Sequence, residues 1–303
     1  MKPYKSYQYL KGTSMTSRDK EELGSDFWNE GKFNNYVLPH LKLAPEQSFV
    51  DMGCNAGLHL KMAEELGFGA LGVDTDKKAI ERGKKWRDDH GFKYQIIDSE
   101  MNEIIDDLPV VDYTVFINAH YYLMVNEFLE YLDKLRRKTR YCIIVTDEKN
   151  RLNRCWASAD NETIRSYFRE WEEVGFIGEK ELKGKHARKL TSHCFKSPWV
   201  DKIELDKLDS SNHVQDDFCA ELDEGKDYKD TKYYKIIKPY RKNWSEEKIN
   251  NWFQGRVDHY FSIKGEGLRT PIIVDQKNEI VDGNHRYAAI RHLGFKQIFI
   301  EKV

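Results

Sequence analysis

Between Ser48 and Val145, short β-rich runs alternate with longer stretches whose apolar residues recur three and four apart. The runs are Ser48–Met52, Ala70–Val73, Lys93–Ile97, Tyr113–Ile117 and Tyr141–Val145; the helical stretches between them include Leu58–Leu66, Lys77–His90 and Val125–Leu135. A strand turns its side chains to alternate faces and a helix repeats every 3.6 residues, so this switching of period marks alternating elements. Strands joined by helices of roughly 10–15 residues form a parallel sheet, because each helix carries the chain back to start the next strand in the same direction. A helix over Glu162–Glu173 follows, then β-like segments Phe176–Leu182 and Lys189–Phe195 joined by Lys183–Arg188. That last pair predicts an antiparallel hairpin added to a mostly parallel α/β sheet.

Composition narrows the class. A chain of 303 residues is long enough for two domains. Its 49 Lys and Arg stand against 51 Asp and Glu, a net charge of −2, which argues against bulk electrostatic coating of nucleic acid. The longest apolar runs, such as Tyr141–Val145, fall far short of the ~18 residues a membrane span needs. Met1-Lys-Pro-Tyr-Lys opens without the apolar stretch of a signal peptide. Cys54, Cys142, Cys155, Cys194 and Cys219 form no C-x-x-C pair, and one is left over in any pairing, so neither a disulfide framework nor a zinc site is expected. These readings predict a cytoplasmic protein with no membrane contact and leave its oligomeric state open.

Charge locates a joint. Residues 201–227 are acidic and poor in large apolar side chains, which predicts a connector with at most one short helix. The expected division is an N-terminal extension over 1–47, an α/β domain over 48–200, the connector over 201–227 and a small α+β domain over 228–303. Within the extension, Phe27 to Tyr36 mixes aromatics with Asn, as a cap over a binding site or as a helix packed on the sheet.

The first strand runs into Asp51-Met52-Gly53-Cys54-Asn55-Ala56-Gly57. Ligands of open α/β sheets bind beyond the carboxyl ends of the strands. Gly53 and Gly57 allow a tight turn and close approach, and Asn55 tolerates positive φ. The second strand ends at Asp74, where a carboxylate can accept both hydroxyls of a ribose. No Gly-Lys-Ser/Thr of a P-loop is present, and G-x-G-x-x-G is not matched. The loop resembles the Asp/Glu-x-Gly-x-Gly-x-Gly pattern of class I S-adenosylmethionine-dependent methyltransferases, with Asn55 in place of the middle glycine. The resemblance spans about residues 48–200 and implies a Rossmann-like sheet with a terminal antiparallel hairpin. It further implies that the Gly53–Gly57 loop passes under the methionine part of S-adenosylmethionine and that Asp51 orients the ammonium. It assigns Asp74 to the ribose, Asp98 to the adenine amino group and Asn118 to the cofactor site. Asp98 reads equally as a helix cap or turn residue.

In the resembled family, acceptors bind where the fourth strand ends, here Asn118-Ala119-His120-Tyr121-Tyr122. His120 is the candidate catalytic base by side-chain chemistry and place, or else a histidine that caps the next helix or packs on Tyr121. The Asn/Asp-Pro-Pro-Tyr/Phe signature of amino-methylating DNA enzymes is absent. Small molecule, protein and RNA all remain open as acceptor.

Beyond residue 228 the pattern reads as strand Tyr233–Ile237, helix Ser245 to about Phe261, strands Pro271–Asp275 and Glu279–Val281, a helix from His285 and strand Gln297–Ile300. Asp282-Gly283-Asn284-His285-Arg286 takes a strand directly into a helix start, whose free N–H groups and positive dipole end favour anions; Arg286 can add a bidentate phosphate contact. This segment resembles the ParB/sulfiredoxin-like fold, whose Gly-x-His-Arg type motif holds nucleotide phosphates. The resemblance implies CTP or ATP, with magnesium, at Asp282, Gly283, Asn284, His285 and Arg286. Kinases of that group place a Glu after the first strand, whereas here no carboxylate precedes Glu246; Asn284 stands where sulfiredoxins carry their reactive Cys. An active nucleotide site and a docking module both stay open. Basic residues recur every third position from Lys226 to Arg241 with tyrosines between, a composition that suits nucleic acid. A period of three gives no single stable helical face, and a strand would split those charges between two faces, so a solvated flank is the expectation.

Together these readings predict an S-adenosylmethionine-dependent methyltransferase joined to a ParB-like domain that binds nucleotide phosphates. The competing reading is a nucleotide-dependent DNA-binding switch or phosphotransferase whose methyltransferase fold senses a ligand.

Overall fold

A computed structural model describes residues 27–44, 46–123, 125–147, 161–181, 189–208 and 214–303. The chain divides into two units, one of residues 1–106 and 111–198, the other of 107–110 and 199–303. Residues 1–26 of the expected extension and the Lys183–Arg188 connection lie outside the described residues. Among the described residues no helix is long and apolar enough to cross a membrane.

The first unit is built on seven strands: β1 (Ser48–Met52), β2 (Gly69–Asp74), β3 (Gln95–Asp98), β4 (Val111–Ile117), β5 (Thr139–Asp147), β6 (Glu172–Glu181) and β7 (Lys189–Lys196). They lie in the order β3-β2-β1-β4-β5-β7-β6. β1 to β5 pair in parallel, and β7 runs antiparallel between β5 and β6. This is a mostly parallel, Rossmann-like α/β sheet with the expected hairpin. Central β4 is buried along nearly its whole length, as a strand covered on both faces must be.

Around the sheet lie α1 (Phe27–Lys32), α2 (Leu58–Glu65), α3 (Lys77–His90), α4 (Met101–Ile104), α5 (Val125–Leu135) and α6 (Asn161–Tyr167). α1 continues through Phe33–Val37, where Phe33, Tyr36 and Val37 are buried among the core residues of the sheet. Of the two expectations for this aromatic segment, the described residues show the packed helix. The helix expected over Glu162–Glu173 stops at Tyr167. From Glu172 the backbone pairs with β7 instead, since a sheet edge offered hydrogen bonds along the whole segment.

In the second unit, β8 (Val200–Glu204), β9 (Ile272–Val274), β10 (Ile280–Asp282) and β11 (Gln297–Lys302) lie in the order β10-β9-β11-β8. The helices are α7 (Val214–Asp223), α8 (Lys232–Ile237), α9 (Glu246–Glu266) and α10 (Asn284–His292). Two expectations are corrected here. The acidic stretch 201–227 contains β8, paired with β11, and α7, whose Phe218, Cys219 and Leu222 enter the core. A short apolar stripe on an otherwise charged helix was enough to bury it. Tyr233–Ile237 is helix α8 instead of a strand: the Thr231 hydroxyl accepts a hydrogen bond from the Tyr234 N–H at 3.2 Å and caps it, while Tyr233 and Tyr234 both bury. A run of five apolar and aromatic residues does not distinguish helix from strand by itself.

Candidate functional site

The strand order reverses its sense at β1 and β4, which places a crevice beyond their carboxyl ends. After β1 the chain turns at Gly53 (φ 81°), Asn55 (φ 51°) and Gly57 (φ 81°), and Gly57 caps α2. After β4, Asn118 is also left-handed (φ 54°), and its N–H donates to the Val145 carbonyl at 2.9 Å. The two turns touch: a Cβ on Gly53 would lie 2.7 Å from the Cβ of Ala119. A side chain at Gly53 is therefore excluded by Ala119, which lets the two turns approach closely.

Asp74 holds the loop in place. Its carboxylate accepts from the Asn55 N–H at 2.7 Å and from the Asp76 N–H at 2.8 Å, tying the end of β2 to the turn after β1. Asp98 is its in-register neighbour at the end of β3, about half exposed, with the Lys77 ammonium 3.7 Å away. Asp51, Gly53, Asn55, Gly57, Asp74, Asp98 and Asn118 are therefore gathered along one edge of the sheet.

Among the described residues, the polar groups at this edge are short of donors. Asp51 is buried, with one carboxylate oxygen 3.3 Å from the His59 Nδ1 and the other without a donor. The Asn55 side-chain oxygen is also buried and lacks a donor. Buried acceptors in this condition are costly and mark places where a ligand or water supplies the missing hydrogen.

His120 differs from expectation. It opens a short turn after Ala119, but its ring is buried at 1% exposure beside Phe128. Burial pushes its pKa down to about 4, so the ring is neutral at pH 7 and is not presented at the surface. Cys54 is a packing residue: it is fully buried, and a Cβ on Gly72 would lie 2.5 Å from its sulfur. Its thiol is raised well above the usual range, chiefly by burial, which suppresses the reactive thiolate.

Two participants escaped the sequence reading. His59, the second residue of α2, is buried against Asp51 and stacks on Phe33 with centroids 6.0 Å apart. Gly83 lies inside α3, where glycine weakens a helix by about 1 kcal/mol. The reason is close approach: a Cβ there would be 2.4 Å from the Ala56 carbonyl oxygen of the loop. A glycine in the middle of a helical pattern was the available signal.

In the second unit, β10 runs into Gly283 (φ 105°), which caps α10. Arg286 lies back over this turn. Its guanidinium donates to the Pro271 carbonyl at 2.8 Å and to the Asp282 carboxylate at 2.6 Å. The Arg256 Nε donates to the His285 Nε2 at 3.0 Å, and the Tyr233 hydroxyl lies 2.7 Å from the same nitrogen. Burial first, then the neighbouring Arg256 charge, hold the His285 pKa at about 3. Around the turn of Asp282, Gly283, Asn284, His285 and Arg286 two cations, Arg256 and Arg286, stand beside one carboxylate, Asp282, while His285 is neutral.

No protein-family model matches the sequence, and no curated protein matches it. Solved structures do overlap with it. TehB from Haemophilus influenzae is 15% identical, over 59% of this chain and 67% of its own, with a TM-score of 0.47. Magnesium protoporphyrin IX methyltransferase from Synechocystis PCC 6803, solved with bound SAM, is 12% identical over 61% and 86%, with a TM-score of 0.46. A SAM dependent methyltransferase from Archaeoglobus fulgidus is 14% identical over 59% and 97%, with a TM-score of 0.48. At scores below 0.5 these overlaps say nothing about the chemistry of this chain.

Proposed function

We propose that the first unit is an S-adenosylmethionine-dependent methyltransferase and that the second binds nucleotide phosphates in the ParB-like manner. The observation that carries the first part is the shortage of donors at the glycine turn. The buried Asp51 and Asn55 oxygens suit a ligand that brings an ammonium, and Asp74 beside Asp98 suits one that also brings ribose hydroxyls and an amino group. The residues present therefore fit this cofactor. When bound, it supplies an electrophilic methyl group on a sulfonium.

The chain's own residues have three tasks in this reading. Asp51 and Asn55 accept hydrogen bonds at the bottom of the crevice. Asp74 fixes the loop through two backbone N–H groups and retains lone pairs for hydroxyls. The glycine backbone and the Asn118 turn set the approach of the acceptor to the methyl group. Methyl transfer is an in-line displacement, so positioning can supply much of the rate. A histidine with a pKa near 4 is a weak base at pH 7, so His120 acts in this reading as a packed support unless its ring turns outward. The acceptor is a small molecule, a protein or RNA.

For the second unit, the supporting observation is the pair of cations, Arg256 and Arg286, beside the single carboxylate at the Gly283 turn. CTP or ATP is the proposed ligand, with Arg286 exchanging its carbonyl and Asp282 partners for phosphate oxygens.

A thermal-shift panel of S-adenosylhomocysteine, CTP, ATP and ADP tests both parts on wild type, Asp74→Ala and Arg286→Ala. Stabilisation by S-adenosylhomocysteine that weakens in Asp74→Ala supports the first part, and no response to it overturns the methyltransferase reading. Stabilisation by CTP or ATP lost in Arg286→Ala supports the second, and its absence in wild type overturns nucleotide binding.

A further inference from the structure

The second unit holds an open cleft of about 480 Å³, separate from the Gly283 turn, lined among others by Lys235, Lys238, Arg241, Lys242 and Trp244. The sequence alone predicts that these basic residues form a solvated flank, because a strand would divide them between two faces. Instead the run folds into α8 and a following turn over Lys238–Arg241, and a helix brings residues three and four apart to the same side. Lys229, Lys235, Lys238 and Lys242 thereby line one trough, with Trp244 and Tyr234 in its wall.

Most cations in this trough have no carboxylate partner among the described residues, unlike three lysines nearby. Lys226 pairs with Glu221 and Glu224, Lys232 with Asp217, and Lys264 with Asp223. Around the cleft the cations meet neutral groups. Lys235 donates to the Asp230 backbone carbonyl at 2.6 Å, and Lys229 lies over Tyr228 at 5.7 Å. Arg241 and Lys248 lie over the Trp244 ring at 4.7 and 4.6 Å. Lys238 has a carboxylate, Glu246 at 3.6 Å, which is itself largely exposed. Lys229, Lys235, Arg241, Lys242 and Lys248 make no ion pair among the described residues, and the Arg241 Nε is buried without an acceptor.

We infer that this cleft binds single-stranded nucleic acid, with phosphates on the lysines and a base stacked on Trp244. Cations spread along an open trough match phosphates spaced along a strand, whereas a free phosphate or a mononucleotide needs donors converging on one point. The aromatic wall supplies the stacking face that every base can use. A folded duplex presents no free base face to Trp244 and is the poorer fit. This inference is independent of the methyltransferase and nucleotide readings.

The test is fluorescence anisotropy of labelled dT20 and rU20 with the full-length chain, at several salt concentrations. Variants are Lys235→Glu/Lys242→Glu, Trp244→Ala, and Lys85→Glu on the first unit as a control. Binding is expected to weaken at least tenfold in the double charge reversal and severalfold in Trp244→Ala, with no change in Lys85→Glu. Four to five phosphate contacts predict a log–log salt slope of about −3 for a single strand. Competition by inorganic polyphosphate should respond to the charge reversal and not to Trp244→Ala. Lys235 and Lys242 are exposed, so that variant keeps its fold, which far-ultraviolet circular dichroism checks. The inference is overturned if neither oligonucleotide binds at low salt, or if the charge reversal leaves binding intact. It is likewise overturned if ATP competes as well as the strand, which would mark a small-anion site, or if a duplex binds more tightly than dT20. Retained stabilisation by S-adenosylhomocysteine in every variant separates these outcomes from any failure of the methyltransferase reading.

Discussion

The two glycine turns share a backbone plan and have opposite polarity. In each, a strand carries an aspartate at or next to its end, the chain passes through left-handed glycine, and a helix begins: β1 to α2 through Gly53 and Gly57, β10 to α10 through Gly283. At the first turn the unsatisfied atoms are acceptors, the Asp51 and Asn55 oxygens. At the second, burial first and then Arg256, His259 and Arg286 lower the proton affinity of His285, against the opposing Asp282 carboxylate. In the proposed reading the same fold element selects a ligand with donors in one unit and an anion in the other. Backbone shape makes room for a ligand; the side chains around it decide the sign of the ligand's charge.

Breaking the first turn has the largest expected effect. Gly53→Ala forces a left-handed alanine, costing about 1–2 kcal/mol. It also drives a methyl group against Ala119, costing about 1–3 kcal/mol more. Urea unfolding should show a loss of about 2–5 kcal/mol in the first unit, together with loss of S-adenosylhomocysteine binding by calorimetry. Gly283→Ala is the paired test: its left-handed φ is equally unfavourable, but the atoms it meets belong to the movable Arg286 guanidinium at 3.0 Å. A smaller loss is expected there.

Acid sharpens the contrast next. His120 binds its proton in the unfolded chain below about 6.5 but in the folded chain only near 4, so the unfolded state gains protons first as pH falls. Stability is then present above 6.5 and is lost progressively towards pH 4, by about 3 kcal/mol for such a shift. His40, lowered to about 4 by burial and by His193, adds in the same direction. His120→Gln should flatten the pH dependence of urea midpoints between 6.5 and 4; an unchanged slope would place that acid sensitivity elsewhere.

Ligand affinity at the first turn should follow Asp74. Asp74→Ala leaves the Asn55 and Asp76 N–H groups without their acceptor and removes the proposed hydroxyl contact, so S-adenosylhomocysteine binding should weaken at least about tenfold, or ~1.4 kcal/mol. Full-strength binding in that variant would remove Asp74 from the site. The smallest effect belongs to the second turn. Pyrophosphate or CTP near the cations that depress His285 should raise its pKa by about one unit, read by histidine proton NMR. S-adenosylhomocysteine should leave that resonance unmoved.

Much of the first unit was legible in the sequence because its signals are local. Five strands, the hairpin and the loop glycines follow from period and from backbone conformations open to few residue types. His120 was left open between base and packed residue for the opposite reason: position in the chain gives the end of β4 but not the direction of the ring, which lies beside Phe128. Gly83 was readable only as an anomaly. The second unit was less legible. Tyr233–Ile237 satisfied both periods, and a cap at Thr231 with burial of two tyrosines settled it as a helix. The acidic stretch 201–227 hid a core face of three residues, because charge on the exposed sides of α7 dominated its composition.

The sequence by itself determined the alternation of strand and helix, the two glycine turns and the residues that stand on them, since each depends on neighbours a few positions away. Tertiary structure alone decided which charges are neutralised. The pairing of Lys232 with Asp217 and the isolation of Lys235 and Lys242 depend on α7, α8 and α9 meeting in space, and no local rule carries that information.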